Sequence, residues 1–269
     1  TDYIPRPTFN KEVTKTFQSV GEIAGDEGGI IATWWDYGYY AHFHSGGMAT
    51  IHDGGMQKTP RTHLFARGLV STNTDELIQI TKFLSTQGQA GINANGSSLL
   101  ALNQTIARAP LPDKPIYLVV TDQMAGWAGS IGTLGRFDVE TGRYLPGNVV
   151  RQEYGIISLQ CKSGGKNKLD CNRGIIDLEH GTLNGQPALS EVILTEKGMF
   201  KGRQQKDNNS PLLLVISKHG NGTIRFRIIH RAMWESSLFQ LLEQGKFNDK
   251  RLALVVDDYP SARVYKILR

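Results

Sequence analysis

The sequence predicts an α+β (mixed α/β) chain, an α/β core interrupted by a β-rich insertion. Three observations carry that expectation. Over residues 1–150, apolar residues at helical spacing alternate with short, wholly apolar runs, the pattern of helices packed around buried strands. Over 151–230 the helical period vanishes, and short apolar runs alternate with turn residues. Over 231–269 a helix and two strands return to complete the core. These three segments are the expected domain organisation.

The elements follow in order. Val13, Phe17, Val20 and Ala24 recur at helical spacing after Asn10, a capping residue, and predict a first helix over 10–24. Ile30-Ile31-Ala32-Thr33 reads as a short buried strand. Asn73 with Glu76 three residues later resembles a capping box, so a second helix starts there and stops at Gly88. A third helix is expected from Ser98 to Arg108, closed by Pro110, and a buried strand over Pro115–Val120. A helix around Met124 follows. In the insertion, strands are expected at 154–160, 175–178, 188–194, 212–217 and 223–229, with turns at Asn184-Gly185 and 219–222. Met233–Gln244 reads as the last helix, ended by Gly245, and 252–256 and 263–268 as the last strands.

Composition narrows the function classes. With 39% hydrophobic residues and no run near the ~20 apolar residues of a membrane span, the chain reads as soluble and globular. A formal net charge of +5 is modest, and the basic residues concentrate only near 162–168 and 197–206, so nucleic acid is not an expected partner. Two cysteines, Cys161 and Cys171, are too few for a zinc site. They are either free thiols or, in an oxidising compartment, a staple across a hairpin.

The most informative stretch is Trp34-Trp35-Asp36-Tyr37-Gly38, placed where the first strand ends. Trp occurs four times in 269 residues, and two stand side by side here. An indole N–H donates one hydrogen bond, an ionised carboxylate only accepts, and a hydroxyl does both. Trp34, Trp35 and Asp36, brought together, would saturate one Ser or Thr hydroxyl. In a regular strand the two indoles face opposite sides, so convergence requires a turn, which Gly38 makes feasible. Adjacent aromatics at a strand end also serve simply as core and turn.

The pentapeptide resembles the signature of the catalytic subunit of oligosaccharyltransferases, and the chain is similar to the C-terminal soluble periplasmic domain of the bacterial single-subunit (PglB-type) enzymes. The segment Asp53-Gly54-Gly55, the Met124 segment with the following 137–142, and the tail 260–268 add to the likeness, which is good over 1–150 and 230–269 and weak between. The resemblance implies that Trp34, Trp35 and Asp36 bind the +2 hydroxyl of an Asn-X-Ser/Thr acceptor polypeptide, while Tyr37 and Gly38 shape the turn. It implies a second element in Met124, Trp127 and Ile131, at spacings that share a helical face, one of which meets the methyl that distinguishes Thr from Ser. Trp127 stands where the family has an aliphatic residue. The same three residues also read as a core stripe.

The likeness further implies an upstream multi-span membrane domain, in keeping with a chain that begins at Thr1 without Met. That domain would hold the divalent metal (Mn or Mg), the catalytic carboxylates and the lipid-linked oligosaccharide. No catalytic residue and no metal ligand is therefore assigned to this chain, and by itself it is expected to transfer no glycan. A periplasmic face favours the Cys161–Cys171 disulfide. The chain's own sequons, at Asn95, Asn103, Asn208 and Asn221, lack the acid two residues earlier that many bacterial enzymes of the family require.

Two readings from other classes stand beside this one. His42, His44, His52 and Asp53, with His63 beyond, would suit a metal-dependent hydrolase if a strand put His42 and His44 on one face. A stand-alone peptide-binding module would use the same hydroxyl pocket without any glycan chemistry.

Overall fold

The structure, a computed structural model, describes residues 9–52, 59–96, 98–138, 141–207, 209–245 and 250–268. The Asn10 side chain accepts from the Val13 N–H at 2.8 Å and starts α1 (Lys11–Ala24), which buries the expected Val13, Phe17, Val20 and Ala24. Gly21 sits inside that helix at a cost of about 1 kcal/mol against Ala. A Cβ there would lie 2.5 Å from the Ser45 carbonyl oxygen, so the close approach of two backbones explains the glycine. Then come β1 (Ile30–Ala32), a 3₁₀ turn at Trp35–Tyr37, α2 (Gly38–His44) and β2 (Ala49–Thr50).

Four helices follow: α3 (Pro60–Val70), α4 (Thr74–Thr86), α5 (Gly88–Asn95) and α6 (Leu99–Ala107). At the head of α4 the Asn73 side chain accepts from the Asp75 N–H at 2.9 Å, while the Glu76 carboxylate pairs with Arg67 at 2.9 Å. This differs from a capping box, because an arginine one helix earlier takes the glutamate. Gly88, at φ 52°, opens α5 as well as separating it from α4. Ser98 caps α6 by accepting from the Ala101 N–H. β3 (Ile116–Thr121) is buried at every position, which explains its unbroken apolar run.

Three short helices, α7 (Asp122–Gly126), α8 (Ala128–Gly135) and α9 (Gly147–Tyr154), lead into ten strands. These are β4 (Ile156–Leu159), β5 (Cys161–Ser163), β6 (Lys168–Cys171), β7 (Gly174–Asp177), β8 (Thr182–Leu183), β9 (Gln186–Pro187), β10 (Glu191–Glu196), β11 (Met199–Gln205), β12 (Leu212–Lys218) and β13 (Ile224–His230). The single helix expected at 233–244 is instead α10 (Arg231–Glu235), α11 (Ser237–Phe239) and a π-helical turn at Gln240–Gln244. Ser236 is extended between them and caps α11, and Gly245 in the left-handed region ends the series. β14 (Leu252–Asp258) and β15 (Ala262–Ile267) close the chain.

The chain divides into two compact units. The first comprises Thr1–Phe65, Ile78–Asp122 and Asp249–Arg269. Its sheet has the order β14-β15-β3-β1-β2, with β1 parallel to β2 and β3, and the β14–β15 hairpin added antiparallel along β3. The second unit comprises Ala66–Leu77 and Gln123–Asn248, so it takes in α10 and α11 as well as the strand-rich region. One of its sheets runs β11-β10-β12-β13-β4, and the other is the meander β5-β6-β7-β8-β9. Leu159, Ile176, Leu189, Val192, Leu214 and Ile228 form a core there. Asn184 and Gly185, at φ 50° and 78°, make the expected two-residue turn between β8 and β9.

Cys161 and Cys171 face each other across β5 and β6 and are joined by a disulfide. The flanking pair Gln160 and Asn172 is hydrogen-bonded, so the cysteines occupy a non-hydrogen-bonded pair, where side chains approach most closely. Among the described residues no helix is long and apolar enough to cross a membrane.

Candidate functional site

In the first unit β1 leads to β2 on one side, while β3 lies on its other side. Ligands of open α/β sheets bind beyond the carboxyl ends of strands at such a reversal. The Trp34–Gly38 segment leaves β1 at that end. Trp34 is extended (φ −63°, ψ 144°) and 2% exposed. The Tyr37 N–H donates to the Trp34 carbonyl at 3.0 Å and closes the 3₁₀ turn. Gly38 has ordinary right-handed helical angles (φ −47°, ψ −65°), so the chain turns without using the freedom of a glycine. Gly38 is instead buried at the start of α2.

Tyr37 anchors the turn. Its hydroxyl lies 2.9 Å from Thr121 Oγ1 at the end of β3, and its ring packs on Phe9 and Phe17 at centroid distances of 4.6 and 5.7 Å. Burial pushes its phenol far above the usual range. Thr121 was invisible to sequence reasoning: 84 residues separate the two partners, and no local pattern joins them.

Trp34 and Trp35 have ring centroids 6.5 Å apart, inclined at 55°. The Trp34 indole N–H donates to the Asp36 carboxylate. Partial burial raises the Asp36 pKa, and the Trp34 bond and Asp36's own N–H oppose that rise without cancelling it. The sequence suggested two indoles converging on one ligand hydroxyl. In the structure Trp34 is core and orients the carboxylate, while Trp35 and Asp36 keep accessible surface. One donor and one oriented acceptor still match one hydroxyl.

Residues 27–141 match the family model of the STT3/PglB/AglB core domain. That span contains the whole Trp34–Gly38 site. Over 94% of this chain and 98% of the other, the fold is similar to the C. jejuni PglB C-terminal domain, with a TM-score of 0.65 at 15% identity. The C-terminal globular domain of an Archaeoglobus fulgidus oligosaccharyltransferase aligns over 97% of this chain and 99% of its own, at 7% identity and a TM-score of 0.45. That of a Pyrococcus abyssi oligosaccharyltransferase aligns over 94% and 50%, at 14% identity and 0.46; at these scores neither adds to the fold assignment. Among curated proteins no sequence match was found.

The second element that the PglB likeness implies lies in the second unit. Met124 and Ile131 are 0% exposed, whereas Trp127 is half-buried. The expected single helix is broken: Trp127, at φ −92° and ψ 8°, separates α7 from α8. Its N–H donates to the carbonyls of Gln123 and Met124, and its own carbonyl accepts from the Ile131 N–H at 3.0 Å. Of the three, Trp127 alone has surface to offer a ligand. Downstream, Asp138 accepts from the Thr141 N–H and hydroxyl, while 139–140 lie outside the described residues.

The histidines take a different arrangement from the one a hydrolase would need. His42 and His44 are on α2, not on a strand, so two residues of separation turn them about 200° apart. His42 Nδ1 lies 2.8 Å from the Met48 carbonyl, and His44 stacks on Tyr40 at 4.3 Å. His52 is 2% exposed, with Nδ1 3.4 Å from the Thr33 carbonyl and its ring against Phe65. Asp53 lies outside the described residues. Among those described, no three His, Cys, Asp or Glu side chains converge to hold a metal.

Proposed function

We propose that this chain is the acceptor-reading domain of an oligosaccharyltransferase, a glycosyltransferase that moves a glycan en bloc from a lipid-linked donor to the Asn of Asn-X-Ser/Thr. The observation that carries the reading is the Trp34–Asp36 hydrogen bond at the carboxyl end of β1, which holds an oriented carboxylate beside accessible Trp35. The +2 hydroxyl donates to Asp36 and accepts from the Trp35 indole. A pocket that also buried the Thr methyl would gain about 0.8 kcal/mol, or a fourfold preference over Ser.

The reacting groups, the Mn or Mg ion and the lipid-linked donor belong to a membrane domain that precedes this one. Among the described residues no three His, Cys, Asp or Glu side chains are placed to hold a metal. The Cys161–Cys171 disulfide fits an oxidising compartment, in keeping with the periplasmic face of a bacterial inner membrane.

The test is binding of labelled Asn-X-Thr and Asn-X-Val peptides. A hydrogen bond to a charged acceptor contributes about 1.5–3 kcal/mol, so Thr is expected to bind at least ~10-fold tighter than Val. Asp36→Ala abolishes that preference. An unchanged Thr-over-Val ratio in Asp36→Ala refutes the pocket, and glycan transfer by this chain alone refutes its assignment as the reading part only.

A further inference from the structure

Trp35 is followed, at four-residue steps, by Tyr39 and Phe43. Tyr39 and Phe43, four apart on α2, share a face of that helix, and the 3₁₀ turn that carries Trp35 runs directly into it. The face opposite is occupied: Gly38 and Ala41 are buried, and Tyr40 packs against Phe9, Phe17 and His44. Exposure rises along the stripe, from half-buried Trp35 to 68% at Tyr39 and 75% at Phe43, the most exposed large hydrophobic side chain among the described residues. From Tyr37 to His52 the chain carries no Asp, Glu, Lys or Arg. An uncharged aromatic stripe thus starts at the hydroxyl pocket and leads away from it into solvent.

We propose that Trp35, Tyr39 and Phe43 extend the acceptor site and take apolar side chains of the acceptor polypeptide at +4 and +6. This rests on the acceptor-reading function above. The spacing supports it. Residues four apart on a helix are separated by about 6 Å of rise. Alternate residues of an extended chain, which face the same side, are separated by about 6.7 Å. With +2 held at Trp35 and Asp36, the +4 side chain falls over Tyr39 and the +6 side chain over Phe43. The direction follows from the reaction. The Asn, two residues before +2, must leave this domain to meet the reacting groups, so the chain that stays over α2 is the C-terminal part.

A lipid surface fits the stripe less well. Helices that lie in a membrane interface carry Lys and Arg beside their apolar face, and α2 is seven residues long without either. Rigid aromatic rings next to a specific pocket suit peptide contact, because few rotors are frozen on binding.

The test compares two Asn-X-Thr peptides, one with Leu at +4 and +6 and one with Ser at both, by fluorescence anisotropy. The Leu peptide is expected to bind about 10-fold tighter to the unmodified chain. In Tyr39→Ser/Phe43→Ser, whose changes lie on the surface, the two peptides bind alike while the Thr-over-Val preference at +2 persists. Equal binding of the two peptides by the unmodified chain, with Thr-over-Val preference intact, overturns the stripe and leaves the pocket standing. Absence of that preference in the unmodified chain overturns the acceptor reading itself, and the stripe with it. Loss of the preference in the double variant means that the rings only shape the pocket, which overturns the extension. Sedimentation with phosphatidylcholine–phosphatidylglycerol vesicles supplies the last outcome: vesicle binding lost in the double variant, with peptide discrimination unchanged, assigns the rings to a membrane.

Discussion

Tyr37→Phe removes one oxygen and tests whether the reading site depends on its anchor. Tyr37 and Thr121 are both 0% exposed, and their hydroxyls are 2.9 Å apart. A typical buried hydrogen bond contributes about 1 kcal/mol net, and removing one partner costs about 1–3 kcal/mol because the other loses its solvation without compensation. We expect Tyr37→Phe and Thr121→Val each to destabilise by about 1–2 kcal/mol in urea unfolding, followed by tryptophan fluorescence. The double variant should lose less than the sum, leaving a coupling of about 1 kcal/mol. Because Tyr37 fixes the turn that carries Trp35 and Asp36, the Thr-over-Val preference should also shrink in Tyr37→Phe. Additivity within about 0.3 kcal/mol, together with an unchanged peptide preference, would refute the anchor.

Two further outcomes are expected. The folded-state pKa of Asp36 is raised, chiefly by burial, so its contribution to stability is present below its ordinary pKa and is lost as pH rises through the folded value. Binding runs the other way, since the ionised carboxylate accepts the hydroxyl proton more strongly than the carboxylic acid does: Thr-peptide affinity should fall on acidification at a higher pH than an ordinary aspartate would give. Titrating affinity and urea midpoint in parallel, with Asp36→Asn as the reference, checks both signs; parallel trends would contradict the role given to Asp36. For the disulfide, which closes a loop of sequence separation 10, Cys161→Ser/Cys171→Ser should cost about 3 kcal/mol by chain entropy. A urea midpoint indifferent to both the substitution and reductant would show that the bond does not constrain the unfolded chain.

What the sequence revealed depended on how local its causes were. α1 was legible because Asn10 and a four-residue apolar period act within one helix, and β3 because an unbroken apolar run marks a strand covered on both faces. The meander β5–β9 was mostly missed: its strands are two to four residues long, too short for any period, and depend on tight turns and a disulfide. β11 was missed for another reason. It is a largely exposed edge strand with Gly202 and polar residues, visible only through its pairing with β10. A strand would have put His42 and His44 on one face, but the 3₁₀ turn at Trp35–Tyr37 launches a helix whose small residues, Gly38 and Ala41, are buried. At the site, residue identity exposed Trp34, Trp35 and Asp36, whereas the division of labour between the two indoles needed coordinates.

On the proposed reading, that division of labour would make one carboxylate selective. A mobile surface aspartate facing a Val side chain would swing back into water, and Val would lose little. Asp36 is tied to Trp34, which is core, and the turn that carries it is tied through Tyr37 to the end of β3. On the proposed reading, a carboxylate held in this way would leave a Val at +2 covering a charge without offering it a proton. The desolvation that raises the Asp36 pKa is part of the same effect: a carboxylate that has already lost some of its water gains more from a Thr hydroxyl and suffers more beneath a methyl group. On this argument loosening the anchor should raise affinity for Val peptides as well as lower it for Thr peptides. Tyr37→Phe would then narrow the ratio from both sides, an outcome that simple loss of a contact does not produce.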